Sequence, residues 1–258
     1  MKIIDVSQYQ GKVKWEKVAP QIDFAILRAS VGEKLDTQYK TNAMALEALG
    51  KPYHAYHYIK ATNTETIMKE ANAFYLATQG THPLFYVIDA ESANIKSVDA
   101  RWIVEEFENQ LRGMMAEDIR VAIYIGHHLY QKWNLDYGRY AYVWIPRYGK
   151  NTGEPDKEPV FDCDLWQYTS KGRIDGISGN VDMSQIHGDK PIEFFTSVEK
   201  NEEIKEVTEP REQFEENETD DEGSGFVPLW VKIVLPLWAM TWPFIWEYLI
   251  KPIIDALK

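Results

Sequence analysis

Short, almost uncharged apolar runs recur along the first part of the chain, separated by stretches with helical spacing or composition. Ile3-Ile4-Asp5-Val6-Ser7 reads as a first strand, turned out at Gln10-Gly11, and Trp15 to Pro20 as a brief helical turn. Phe24 to Ser30 is a second strand and Tyr53 to Tyr58 a third. Helices are predicted at 36–49 and 64–79, stopped by Gly50 and Gly80. Pro83 to Ile88 is a fourth strand, apolar enough to be buried on both faces. Ser97 is placed as the cap of a long helix whose face carries Ile103, Phe107, Leu111 and Met114. Val121 to Ile125, Tyr140 to Pro146 and Asp164 to Tyr168 follow as strands, with a short helix at 127–133 and a Gly-punctuated, hairpin-like piece from Gly172 to Asp182.

Strands alternating with helices imply parallel pairing and an α/β fold, and about eight strands suggest a closed barrel. Two departures make that barrel irregular and incomplete. Residues 148–155 read as loop where a helix belongs, and the body spans roughly 190 residues against about 250 for a regular eight-fold barrel. The predicted fold is therefore an irregular (β/α) barrel over 1–190, then an acidic linker over 191–225, then a hydrophobic, helical C-terminal segment over 226–258.

The fourth strand ends in Asp89-Ala90-Glu91. Alternation along a strand points the two carboxylates to one side, with Cα atoms about 6.6 Å apart. Acids at the end of a buried strand cost stability unless something uses them, and the pair reads as the catalytic floor of a glycosidase. The competing explanation is an ion pair with Arg28. His57 is expected to fill and hydrogen-bond the barrel interior, and His127-His128 to lie at the surface without zinc-ligand spacing.

Charge sharpens the domain picture. The total is −12, yet residues 193–222 hold thirteen acids against Lys200, Lys205 and Arg211. That segment alone is −10, so the folded body is nearly neutral. It carries no basic patch, which excludes nucleic acid as a partner. A single cysteine, Cys163, rules out an internal disulfide and a cysteine-rich metal site. No cofactor or metal is expected.

Three pieces taken together resemble glycoside hydrolase family 25, the lysozymes (N-acetylmuramidases) of bacteria and phages. They are Asp5-Val6-Ser7-Gln8-Tyr9-Gln10-Gly11, Asp89-Ala90-Glu91 and Gly179-Asn180-Val181-Asp182. Tyr56-His57-Tyr58, Val143 to Tyr148 and Leu165 to Tyr168 support the match, which covers residues 1 to about 187. The resemblance implies an irregular β/α barrel that hydrolyses the β-1,4 bond between N-acetylmuramic acid and N-acetylglucosamine in peptidoglycan. By the same resemblance Glu91 is the general acid, and Asp5, Asp89 and Asp182 complete an acidic floor. Carboxylates crowded into one cleft cannot all stay ionised cheaply. One of them is expected to hold its proton for the leaving oxygen. Asp89 or Asp182 would stay charged and stabilise an oxocarbenium-like transition state, or orient the acetamido group or a water. Tyr56, Tyr58, Tyr124, Trp144 and Tyr168 are the candidate faces for sugar rings, with plain core packing as their other reading. The spacing leaves retaining and inverting chemistry open.

The tail departs from that family picture. Residues 193–222 are too charged for a core and read as an extended linker, with Gly223-Ser224-Gly225 as a further joint. From Phe226 to Trp246, 21 residues carry one charge, Lys232, and Trp238, Trp242 and Trp246 recur every four. Length and tryptophans suit a membrane or its interface, while Pro228, Pro236 and Pro243 interrupt a helix. Docking on the barrel, oligomerisation and wall binding are the alternatives. The N-terminal residues lack a signal-peptide pattern. The expected setting is thus a phage endolysin in the host cytoplasm, reaching the wall through a holin or its own tail. A virion-associated wall hydrolase and a non-catalytic glycan-binding barrel with a membrane-active tail are the other readings.

Overall fold

A computed structural model of the chain describes residues 2–115 and 119–197. The 226–258 segment and the expected linker from residue 198 onward lie outside the described residues. Among the described residues no helix is long and apolar enough to cross a membrane.

The strands are β1 (Ile3–Val6), β2 (Phe24–Val31), β3 (Lys34–Leu35), β4 (Tyr53–Tyr58), β5 (Tyr86–Ala90), β6 (Val121–Ile125), β7 (Val143–Pro146), β8 (Leu165–Gly172) and β9 (Val181–Ile186). The helices are α1 (Trp15–Val18), α2 (Tyr39–Ala48), α3 (Thr64–Thr78), α4 (Ala100–Met114), α5 (Tyr130–Trp133) and α6 (Ile192–Thr196). Seven strands run parallel in the ring order β1, β2, β4, β5, β6, β7, β8. β9 lies antiparallel between β8 and β1 and closes the ring, while the two-residue β3 only extends β2 as a hairpin. The barrel is thus irregular at its last strand, where β8 and β9 form a hairpin in place of a helical crossover. Gly172 permits the close approach there, since a Cβ would lie 2.8 Å from the Val181 carbonyl oxygen.

Strand alternation splits the core in two. Ile3, Phe24, Ile26, Phe85, Val87 and Leu165 pack inside the barrel. Their neighbours Ile4, Ala25, Leu27, Ile88, Ala90 and Ile123 face outward, against Leu46 of α2, Phe74 of α3 and Phe107 of α4. Burial on both faces is why these strands read as unbroken apolar runs.

Three local expectations are corrected. α4 starts at Ala100 and not at a Ser97 cap, because backbone turns closed by Ile95 N–H to Ser92 and Asp99 N–H to Lys96 occupy the preceding residues. His57 does not point into the barrel. It stands outward on β4, stacked 4.9 Å from Phe107, with Ser30 Oγ at 2.8 Å from Nδ1 and Glu70 Oε2 at 3.1 Å from Nε2. His54, an odd number of residues away, is the interior histidine, bonded to Tyr142 Oη and the Phe195 carbonyl at 2.9 Å each. Finally, residues 192–196 are not linker. α6 plugs the barrel floor with the fully buried Phe195, stacked 5.8 Å from Phe24. Averaging charge over the acidic stretch hides Ile192, Phe194 and Phe195 at its edge.

Candidate active site

In a parallel barrel the C-terminal strand ends form one mouth, and four carboxylates gather there. Asp5 lies near the end of β1, Asp89 near the end of β5 and Glu91 one residue beyond it. Asp182 enters from the start of β9, which runs the other way, so it reaches the same mouth. The barrel's closure makes Asp5 and Asp182 direct partners across the β1–β9 ladder. Asp5 and Asp89 are buried, 8% and 7% exposed, whereas Glu91 and Asp182 are half-buried.

The electrostatics follow from burial and crowding. Asp5 is pushed well above the ordinary carboxylate range by burial, then by the charges of Asp182 and Glu91, against a lowering bond from Gln167. Asp89 is raised by burial and by Glu91 and Asp5, and Arg28 opposes the rise. Burial and Asp182 raise Glu91, and burial lifts Asp182 to about 6. The cluster therefore retains protons at pH values where isolated carboxyls have lost them.

Gln167 organises this cluster. Its Oε1 accepts from the hydroxyls of Tyr124 at 3.0 Å and Tyr148 at 2.6 Å. Its Nε2 donates to Asp5 Oδ2 at 2.8 Å and to Asp182 Oδ2 at 3.4 Å. Two tyrosine donors on one side oblige the amide to turn its NH2 toward the acids. Neither Gln167 nor Tyr148 stands out in the sequence as a site residue. The available signal is period two from the interior Leu165, which puts Gln167 inward and Tyr168 outward.

That same alternation sorts the five aromatic candidates. Tyr56 and Tyr58 line the mouth, both partly buried and Tyr56 the more deeply, with the charges of Asp89 and its neighbours around their hydroxyls. Tyr124 is buried and braces Gln167. Trp144 is only 2% exposed, its Nε1 donating to Ser184 Oγ at 3.1 Å and its ring edge-on to Tyr124 at 4.6 Å, so it supports Tyr124 and offers no free face. Tyr168 is not in the mouth at all: it packs in the outer layer, edge-on to Trp166 at 6.0 Å. Arg28 likewise forms no ion pair with Asp89 or Glu91. Its Nε donates to Asp36 Oδ2 at 2.9 Å.

A β/α barrel whose mouth collects four crowded carboxylates, their protons held by burial and mutual repulsion, beside partly buried tyrosines has the build of a glycoside hydrolase. The sequence agrees: residues 4–177 match the model for glycosyl hydrolases family 25, and the chain belongs to that family. Asp182 lies just past the matched span and joins the site through the β1–β9 pairing. The catalytic domain of endolysin ply40, from bacteriophage P40 of Listeria monocytogenes, is similar at 29% identity and a TM-score of 0.70, over 76% of this chain and 98% of that one. A family 25 glycosyl hydrolase of Streptococcus pneumoniae, the virulence factor GHIP, aligns at 28% identity and a TM-score of 0.69, over 74% and 89% of the two chains. Lysozyme M1 of Streptomyces globisporus is 25% identical over 207 residues, 72% of this chain and 67% of its own.

Proposed function

We propose that this glycosidase is a peptidoglycan muramidase, cleaving the β-1,4 bond between N-acetylmuramic acid and N-acetylglucosamine with Glu91 as general acid. The observation that carries the assignment is the meeting of four carboxylates at one barrel mouth, of which Glu91 is both half-exposed and raised by burial and Asp182. A general acid must hold its proton and also reach the substrate. Asp5 is held back by Gln167, and Asp89 is deeper, raised by burial and by Glu91 and Asp5 more than Arg28 lowers it, so neither reaches substrate as Glu91 does. Asp89 then faces the positive charge that develops on the sugar, and the Gln167 bridge keeps Asp5 and Asp182 at a fixed spacing. Peptidoglycan glycan strands are the substrate, in keeping with the lysozyme and endolysin among the similar proteins. Purified peptidoglycan should yield new reducing ends and no new free amines. Glu91→Gln should lower the rate about 10²- to 10⁴-fold, and undiminished release by that variant would remove Glu91 from its role.

The setting we infer is a phage endolysin whose Trp-rich 226–258 stretch associates with membrane, supported by its length, single charge before Trp246 and four-residue Trp spacing. In the host cytoplasm it would depend on a holin or on that stretch to reach the wall. The full chain should float with liposomes and a chain truncated after Asn201 should not; equal behaviour of the two refutes membrane association.

A further inference from the structure

Arg28 and Asp89 both face the barrel interior, because Ile26 and Val87, two residues earlier on β2 and β5, are interior residues. One strand, β4, lies between them: Arg28 is opposite Tyr56, and Asp89 is opposite Tyr58. Two strand spacings put their backbones roughly 10 Å apart. Both residues are buried. A buried cation near a buried carboxylate ordinarily closes into an ion pair, since each charge is expensive alone. Here the charge of Arg28 acts on Asp89, yet the guanidinium is bonded elsewhere.

Asp36, just past the β2–β3 hairpin, is what it is bonded to. Its carboxylate is fully buried. Oδ2 accepts from Arg28 Nε at 2.9 Å and from the Gln8 backbone N–H at 3.0 Å, and Oδ1 accepts from the Gln38 N–H at 2.9 Å. The Asp36 N–H in turn donates to the Ala29 carbonyl at 2.9 Å. Ala29 sits in the bulge between Arg28 and Ser30, where β2 shifts its register against β4. Asp36 is thus fixed by the turn after β1, by the bulge in β2 and by the residues leading into α2. Arg28 Nη2 and Asp89 Oδ1 have no hydrogen-bond partner, so the pairing that would satisfy both is not made.

Around Asp89 stand Glu91 beyond its own strand, Asp5 of β1, Arg28 of β2, the hydroxyls of Tyr56 and Tyr58 of β4, and that of Tyr124 of β6. Arg28 is the cation of that set. We propose that Asp36 is a positioning residue that keeps Arg28 from pairing with Asp89, leaving this carboxylate available to the positive charge that develops on the sugar. An Arg28–Asp89 ion pair would neutralise the carboxylate before the transition state forms, whereas a charge held ready and unengaged stabilises it. The inference rests on the muramidase reading and adds the residue that governs the charge facing the sugar.

The test is the pH dependence of reducing-end release by the full chain from peptide-free peptidoglycan glycan oligomers. Activity on the acid side rises as the carboxylate cluster first ionises. Asp36→Asn frees Arg28 to pair with Asp89. It should lower the kcat plateau about tenfold and move the acid limb down by roughly 0.5–1 pH unit, the effect of a unit charge in a partly screened interior. Arg28→Gln should move that limb up by a similar amount, since Asp89 then holds its proton more tightly. The double variant decides most sharply. With the cation gone, Asp36 has nothing to restrain, and the plateau should return to within about threefold of Arg28→Gln alone. Acid limbs that move in the same direction in the two single variants, or not at all, overturn the proposal. So does a double variant whose losses multiply, as a purely structural Asp36 would give. Where one single variant fails to fold, the sign of the limb shift in the other decides. Failure of the unsubstituted chain to release reducing ends would count against the muramidase reading instead.

Discussion

Replacing Asp182 by asparagine should stabilise the barrel at neutral pH while impairing catalysis. Burial lifts the Asp182 carboxyl from 3.8 to about 6. In the unfolded chain the group loses its proton near 3.8; in the folded chain it keeps the proton until about 6. Across that window the folded state binds more protons, so this group's contribution to stability is complete below the lower value and falls as pH rises through the upper one. At about 1.4 kcal/mol per pK unit the ionised carboxylate costs up to about 3 kcal/mol, and about 2 kcal/mol after allowing for solvent at a half-buried position. Asparagine keeps the shape and still offers an oxygen to Gln167 Nε2, now 3.4 Å from Oδ2. For a domain of this size about 2 kcal/mol raises Tm by roughly 4–8 °C. Thermal unfolding followed by circular dichroism, at about pH 7.5 and about pH 4, reads the effect directly. The gap should be open at the higher pH and nearly closed at the lower. An Asp182→Asn chain that melts with the unsubstituted protein at neutral pH, or a gap of the same size at both pH values, refutes the cost assigned to this carboxylate.

Gln167→Ala should leave the fold intact and lower kcat by roughly tenfold or more, since Asp5 and Asp182 lose their shared donor and Tyr124 and Tyr148 their acceptor; wild-type turnover would contradict its organising role. His54 is held neutral by burial, down to about 3. The unfolded chain therefore takes up a proton from about 6.5 downward while the folded one does not, and stability falls with pH in that range. Urea unfolding of His54→Gln should show that slope reduced by about one proton. Phe195→Ala should cost about 3–5 kcal/mol through the cavity opened at the barrel floor, with kcat of the folded fraction unchanged; a small loss would mean that α6 is dispensable.

Much of this was legible along the chain because it depends on local periodicity. A strand buried on both faces must be apolar throughout, so Phe85 to Ile88 announces itself whatever surrounds it. The Asp89-Ala90-Glu91 spacing likewise brings two acids to one strand end. The long helices at 64–79 and around Ile103 to Met114 show their core-facing residues directly. Where local rules compete, the sequence misleads. His54 and His57 are both plausible interior residues until the barrel's handedness of facing is known, and Gln167 and Tyr168 exchange roles on a shift of one residue.

Taken by itself, the sequence determined an α/β alternation, a carboxylate pair at the end of a buried strand, and a concentration of acidic residues over 193–222. Those properties follow from composition and period within a few residues. Only the tertiary structure decided which distant groups meet: Asp5 against Asp182, Gln167 between them, Arg28 engaged by Asp36 with Nη2 left free, and Phe195 in the barrel floor. The reason is geometric. Closing a sheet into a ring makes neighbours of its first and last strands, and an antiparallel final strand carries its leading residue to the mouth where parallel strands deliver their last.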